Sequence, residues 1–144
     1  MALNTVANVA LRAVPGAFVL NSGISKLGMD EGTASYLQAE AAKGVPALAN
    51  LEAAQFGKLL TYGEIAVGAT LLLPFVPNRI AGLALGAFSA GMMSVYFRDD
   101  SKTEDDGIRP SGEGIALAKD SWLSAIAIAL LTGGAKRAKK RKKK

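Results

Sequence analysis

Four stretches of the chain run almost without charge. Residues 1–25 hold one charged side chain, Arg12, and residues 80–97 hold none, an 18-residue run long enough to cross a hydrocarbon core. Residues 65–78 are uncharged and extend back past Glu64 toward Phe56. Residues 121–135 are uncharged and extend back past Asp120 and Lys119. A helix bundle in water needs a polar residue every three or four positions on the face that meets solvent. Between Ile80 and Phe97 the polar side chains are hydroxyls, which a helix can return to its own carbonyls. The pattern predicts an all-α polytopic membrane protein. Its four-transmembrane-helix bundle fills residues 1–134, followed by a tail over 135–144.

Helix ends are marked by Gly28, by Pro74, Pro77 and Asn78, and by Arg98-Asp99-Asp100. The second helix is expected to run from about Gly57 to Phe75 and to form a tight hairpin with the third. Pro15-Gly16 predicts a kink in the first helix. Gly82, Gly86 and Ala90 repeat at four-residue spacing as a small-residue ridge, suited to close packing within the bundle or against another subunit.

Net charge is +5, but eight of the 17 basic residues are Lys136, Arg137, Lys139, Lys140, Arg141, Lys142, Lys143 and Lys144. Nine basic residues against 12 acidic ones remain, so the body is mildly acidic. The basicity is local, which argues against a nucleic-acid-binding surface. Such a tail is attracted to anionic headgroups and, by the positive-inside rule, places both termini in the cytoplasm. The turn carrying Arg79 is then cytoplasmic. The loops of about 27–56 and 98–118 face outward. No basic stretch precedes the first apolar segment, so it reads as a retained helix and not a cleaved signal peptide.

The chain has no cysteine and no histidine. It therefore cannot by itself ligate haem, copper, zinc or an iron-sulfur centre through those side chains, nor supply a thiolate nucleophile or an imidazole base. In the outer loops, residues 33–43 predict a short helix with Ser35 and Gln38 as a capping box, broken at Gly44-Val45-Pro46. The acidic run from Asp99 to Gly107 has calcium-loop features. Lys102 at the first ligand position and Pro110 within the loop make a solvated acidic loop the reading instead.

Arg12 and Glu64 are the charges embedded in predicted spans, where an ionisable group costs about 2.5–3.5 kcal/mol and so needs a partner or a job. Counted from the inner helix ends they fall at roughly 12 and 16 Å depth, which predicts an Arg12–Glu64 ion pair. The pair could fix helix register, or line a ligand pocket with Tyr62. Lys26, Lys58, Lys119 and Asp120 are expected near the outer ends, with Asp120 paired locally to Lys119. Trp122 and Tyr96 are expected in an aromatic belt.

Leu11-Arg12 followed by Gly23 and Lys26-Leu27, then Glu64 with Gly68, Arg79 at the next turn, and Lys119 before the last apolar segment resemble the DoxX family of four-helix bacterial membrane proteins. The resemblance covers residues 9 to 133. Ser22 stands where many relatives carry histidine, and the long acidic loops and the basic tail are departures. The resemblance implies subunits associated with quinol oxidation and thiosulfate-to-quinone electron transfer. Two functions follow as expectations. The first is an accessory or assembly subunit of a larger envelope complex in the bacterial cytoplasmic membrane, without catalysis of its own and docked on other membrane proteins. The second is a quinone-binding subunit of an oxidoreductase, with Glu64 accepting a proton and Tyr62 or Arg12 hydrogen-bonding a quinone oxygen. A solute channel lacks a continuous polar path.

Overall fold

The computed structural model describes residues 5–133, and the basic tail from Lys136 to Lys144 lies outside them. The described chain is all-helical. Helix α1 runs Thr5–Ser25, α2 Glu31–Gly44, α3 Ala53–Leu72, α4 Asn78–Arg98, α5 Ile115–Lys119 and α6 Ser121–Gly133, with single 3-10 turns at Pro46–Asn50 and Asp100–Lys102.

Two of these segments, Asn78–Arg98 and Ile115–Gly133, are long and apolar enough to cross a membrane. Helices α1 and α3 have the length, at 21 and 20 residues, but are less apolar. In a soluble core helix most residues would be buried. Here 33% of the α4 span is buried, and 11% of the Ile115–Gly133 span.

The long helices pack as two antiparallel pairs, α1 on α3 and α4 on α6, joined side by side through α3 and α4. Where the pairs meet, Leu71, Ala81, Leu85, Ala127 and Leu130 form the buried cluster, flanked by Leu11, Val67, Val76, Leu123 and Ile126. Away from this seam, Phe18, Leu83, Trp122 and Ile128 stay exposed.

Helix ends follow local chemistry. Helix α1 continues through the buried Pro15 and stops at Gly28, whose φ of 76° is the left-handed geometry glycine adopts without penalty. Helix α3 begins four residues earlier than expected, at Ala53, where the Gln55 side chain accepts from the Glu52 amide at 3.2 Å. It ends at Leu72, before Pro74.

The connection 27–56 differs from the expected short exposed helix. Its helix starts two residues before Thr33, capped by Asp30, which accepts from the Thr33 amide at 2.8 Å. Gln38 is no capping partner: it donates to the carbonyls of Leu48 (2.8 Å) and Leu51 (2.7 Å) and so folds the 3-10 turn back onto α2. Helix α2 lies across one end of the bundle, with Ala34 buried against Gly57 of α3 and Gly44 against Ser94 and Val95 of α4. Arg98 clamps that crossing by donating to the Gly44 carbonyl at 2.9 Å. Tyr96 is buried beneath the second loop and donates to the Ile108 carbonyl at 2.7 Å, so it is not a belt residue.

Candidate functional site

Glycines set the register of the α1–α3 pair. A Cβ on Gly68 would stand 2.6 Å from the Leu20 amide nitrogen, one on Gly23 2.8 Å from the Ile65 nitrogen, and one on Gly16 3.0 Å from Leu71 Cβ. The two backbones therefore touch along the whole seam, with Gly23 level with Glu64 and Gly16 level with Leu71. Arg12 lies 11 residues before Gly23, about 16 Å along the helix axis at 1.5 Å per residue.

This register overturns the expected Arg12–Glu64 pair. Both side chains are buried, at 7% and 6% exposure, but they sit at opposite ends of the seam. Helix α3 ends at Leu72, level with Gly16, while α1 extends back to Thr5, so Arg12 falls beside the α3 terminus. All five guanidinium N–H groups find acceptors there. Nε donates to Leu71 O at 2.8 Å, Nη2 to Thr70 O (3.1 Å) and Leu73 O (2.8 Å), and Nη1 to Val76 O (2.8 Å) and Asn78 Oδ1 (3.0 Å). Asn78 in turn donates to Asn8 Oδ1 at 2.6 Å. The negative end of the α3 dipole neutralises the cation in place of a carboxylate.

Glu64 instead pairs with Lys26, Oε2 to Nζ at 2.9 Å. The ammonium also donates to Ser22 Oγ (2.7 Å) and Ser22 O (3.2 Å), so its three protons are all placed. Thr61, buried one turn before Glu64, donates to the Lys26 carbonyl at 3.4 Å. Lys26, Thr61, Tyr62 and Lys58 line a half-open cleft of about 240 Å³, with Glu31 and Ala34 of α2 also in its wall. Tyr62 is 61% exposed and forms the rim of this cleft, apart from Arg12. A sequence reading passes over Thr61 and Glu31, and singles out Ser22 only as a departure from the DoxX pattern and not as a partner of Lys26. The signal for Ser22 is its four-residue spacing from Lys26, which puts both on one helix face.

The other expected residues lie elsewhere. The ridge on α4 packs inside the chain: Gly82 meets the Leu131 side chain and Ala127 carbonyl of α6, Gly86 meets Ala127 Cβ at 3.6 Å, and Ala90 is exposed. A Ser124-to-Ser89 hydrogen bond of 3.1 Å extends that seam. Lys119 and Asp120 sit at the α5–α6 junction, and Asp120 makes no ion pair with Lys119 among the described residues.

At the α2 end of the bundle, Lys43 joins Glu40 (2.7 Å) to Asp99 (2.9 Å), and Lys102 lies 3.4–3.6 Å from Glu40, Asp99 and Glu113. The Lys43 hydrogen bond holds the Asp99 carboxyl well below the usual carboxylate range, with help from Ser101. The same ammonium lowers Glu40 and is itself raised by Glu40 first and Asp99 second. These acids are thus engaged with lysines. Among the described residues no group of acidic side chains is arranged to hold a metal ion.

Chemically, the bundle offers one ion pair beside a small, mainly apolar cleft rimmed by charges, one saturated guanidinium, and a charged clamp at the α2 end. Compared with known proteins, the chain matches no family model, no curated protein and no solved structure.

Proposed function

We propose that the chain is a DoxX-like four-span subunit of a bacterial cytoplasmic membrane, serving assembly of a larger envelope complex without catalysis of its own. The carrying observation is the contrast between charge and surface. Arg12 and Lys26 have every donor engaged inside the chain, while the apolar spans of α4 and α5–α6 remain largely uncovered. Ions that are saturated internally hold helices in register. Uncovered apolar helix faces meet lipid or other helices. The strapped outer face, where α2 and the second loop are locked together, offers a rigid surface to a partner.

The chain carries no cysteine, which makes topology directly measurable. With Glu104→Cys in the second outer loop and Phe75→Cys in the α3–α4 turn, an impermeant thiol reagent on intact cells should label the first alone. Labelling of both from outside defeats the four-span arrangement. Mild detergent extraction followed by sizing should yield a particle larger than a lone chain in its micelle, with a reproducible protein companion. A solitary chain defeats the assembly role.

The quinone-binding alternative retains Glu64 and Tyr62 at one end of the bundle and loses Arg12, whose donors are all occupied. Quinone-linked turnover that survives Glu64→Gln in an intact assembly removes it.

A further inference from the structure

Two exposed, opposite charges at the cleft have no partner among the described residues. Glu31, at the start of α2, and Lys58, in α3, both line the cleft. Neither makes an ion pair or side-chain hydrogen bond with a described residue, and none joins them to each other. Lys26 in the same wall is not spare, because Glu64 and Ser22 take its protons. The cleft thus presents one available cation and one available anion, with the Tyr62 hydroxyl at the rim.

Its volume, about 240 Å³, falls below the roughly 300–1,000 Å³ typical of pockets for drug-sized ligands. It suits a small dipolar group whose remainder stays outside. What lies outside is apolar: Leu27 is in the wall, and Ile24, three residues earlier on the same face, is exposed.

We infer that the cleft holds the headgroup of a phospholipid bearing a primary ammonium, a phosphoethanolamine. The phosphate sits on Lys58 and the Tyr62 hydroxyl, the ammonium sits on Glu31, and the acyl chains descend past Leu27 and Ile24. This rests on the membrane reading above. A headgroup with phosphate alone gains from Lys58 and loses to Glu31, since the two charges share one small space. A quaternary ammonium has no N–H to donate to the carboxylate and forgoes the charge-assisted hydrogen bond.

The test uses the full chain purified in mild detergent, titrated with short-chain phosphatidylethanolamine, phosphatidylcholine and phosphatidylglycerol and with free phosphoethanolamine. The ethanolamine lipid should bind about tenfold tighter than the other two lipids, the scale of one charge-assisted hydrogen bond. Free phosphoethanolamine should bind more weakly than the lipid. Glu31→Gln should bring the ethanolamine and choline lipids to near parity, and Lys58→Met should weaken all three lipids. Lys119→Met, away from the cleft, should change nothing. Equal binding of the three lipids, equal binding of the free headgroup, or an unchanged preference in Glu31→Gln overturns the assignment. Alkaline extraction of native membranes separates the two levels. A chain released into the supernatant sinks the membrane reading and the lipid site with it, whereas an embedded chain without headgroup preference sinks the lipid site alone.

Discussion

Arg12 Nη2 donates to the carbonyl of Thr70 at 3.1 Å, the acceptor that Pro74 leaves without its helical donor. The same nitrogen reaches Leu73 O at 2.8 Å, an oxygen that also accepts from the Val76 amide in the turn at 3.2 Å. An i−4 carbonyl loses its partner wherever proline follows four residues on. Pro74 thereby frees the Thr70 acceptor, and the turn that follows gathers the other acceptors around the same arginine of α1.

Replacing Arg12 with alanine should therefore unfold the α3 terminus and lower stability by at least about 3 kcal/mol, since hydrogen bonds to charged groups contribute about 1.5–3 kcal/mol each. Arg12→Lys should recover part of the loss, because one ammonium cannot span five acceptors. Thermal unfolding in mild detergent reads both. An Arg12→Ala protein as stable as the parent excludes the capping role.

Lys26 and Glu64 should behave as a coupled pair. Lys26→Met and Glu64→Gln are each expected to destabilise, and the double variant to cost less than their sum, with a coupling of about 0.5–3 kcal/mol. Arg12→Met with Glu64→Gln should be additive within about 0.5 kcal/mol, because the two sites share no partner. Coupling of Arg12 to Glu64 as strong as that of Lys26 would contradict the register of the α1–α3 seam.

Much of the architecture was readable from residue pattern: Gly28 and Pro74 stop helices where charge-free runs end, and Gly82 with Gly86 forms a packing surface. The partners of the buried ions were not. Depth counted from expected helix ends put Arg12 and Glu64 together, but α3 ends before Pro74 and α1 overhangs it. Register between two apolar helices is decided by which glycines let the backbones meet, and Gly23 and Gly68 carry no label for their partner. Helix α2 was foreseen as an exposed segment, yet its placement across α3 and α4 depends on Ala34 and Gly44 fitting against distant residues.

The glycine seam gives a graded prediction. Gly68→Ala places a methyl 2.6 Å from Leu20 backbone, and should cost about 1–3 kcal/mol as an overpacked contact. Gly86→Ala meets Ala127 Cβ at an ordinary 3.6 Å, and should be neutral or gain up to about 1 kcal/mol from helix propensity. Thermal unfolding of the two variants side by side checks the order. If Gly68→Ala is the milder substitution, α1 and α3 do not touch where the seam has them touching.

The Lys43–Asp99 clamp should respond to pH with a defined sign. Asp99 and Glu40 are lowered from ordinary values of 3.8 and 4.5 by hydrogen bonds from Lys43, so the stability they lend is present above those values. It is lost as pH falls below them through the folded-state values. Lys43 is raised above 10.5 by Glu40 and Asp99, so its share is complete below 10.5 and disappears as pH rises beyond it. The clamp is thus expected to hold from about pH 4.5 to 10.5. Hydrogen exchange of α2 and the 99–113 loop should show protection across that range and lose it beyond either limit. Asp99→Asn should remove much of the acid-side step and loosen the loop at neutral pH, while the α1–α3 seam stays protected. The exposed Lys43 ammonium is screened by salt, so added salt should weaken the clamp at neutral pH without reaching the buried Lys26–Glu64 pair to the same degree. Protection in the loop that is unchanged by acid in the parent and by Asp99→Asn would show that something other than these ion pairs ties α2 to α4.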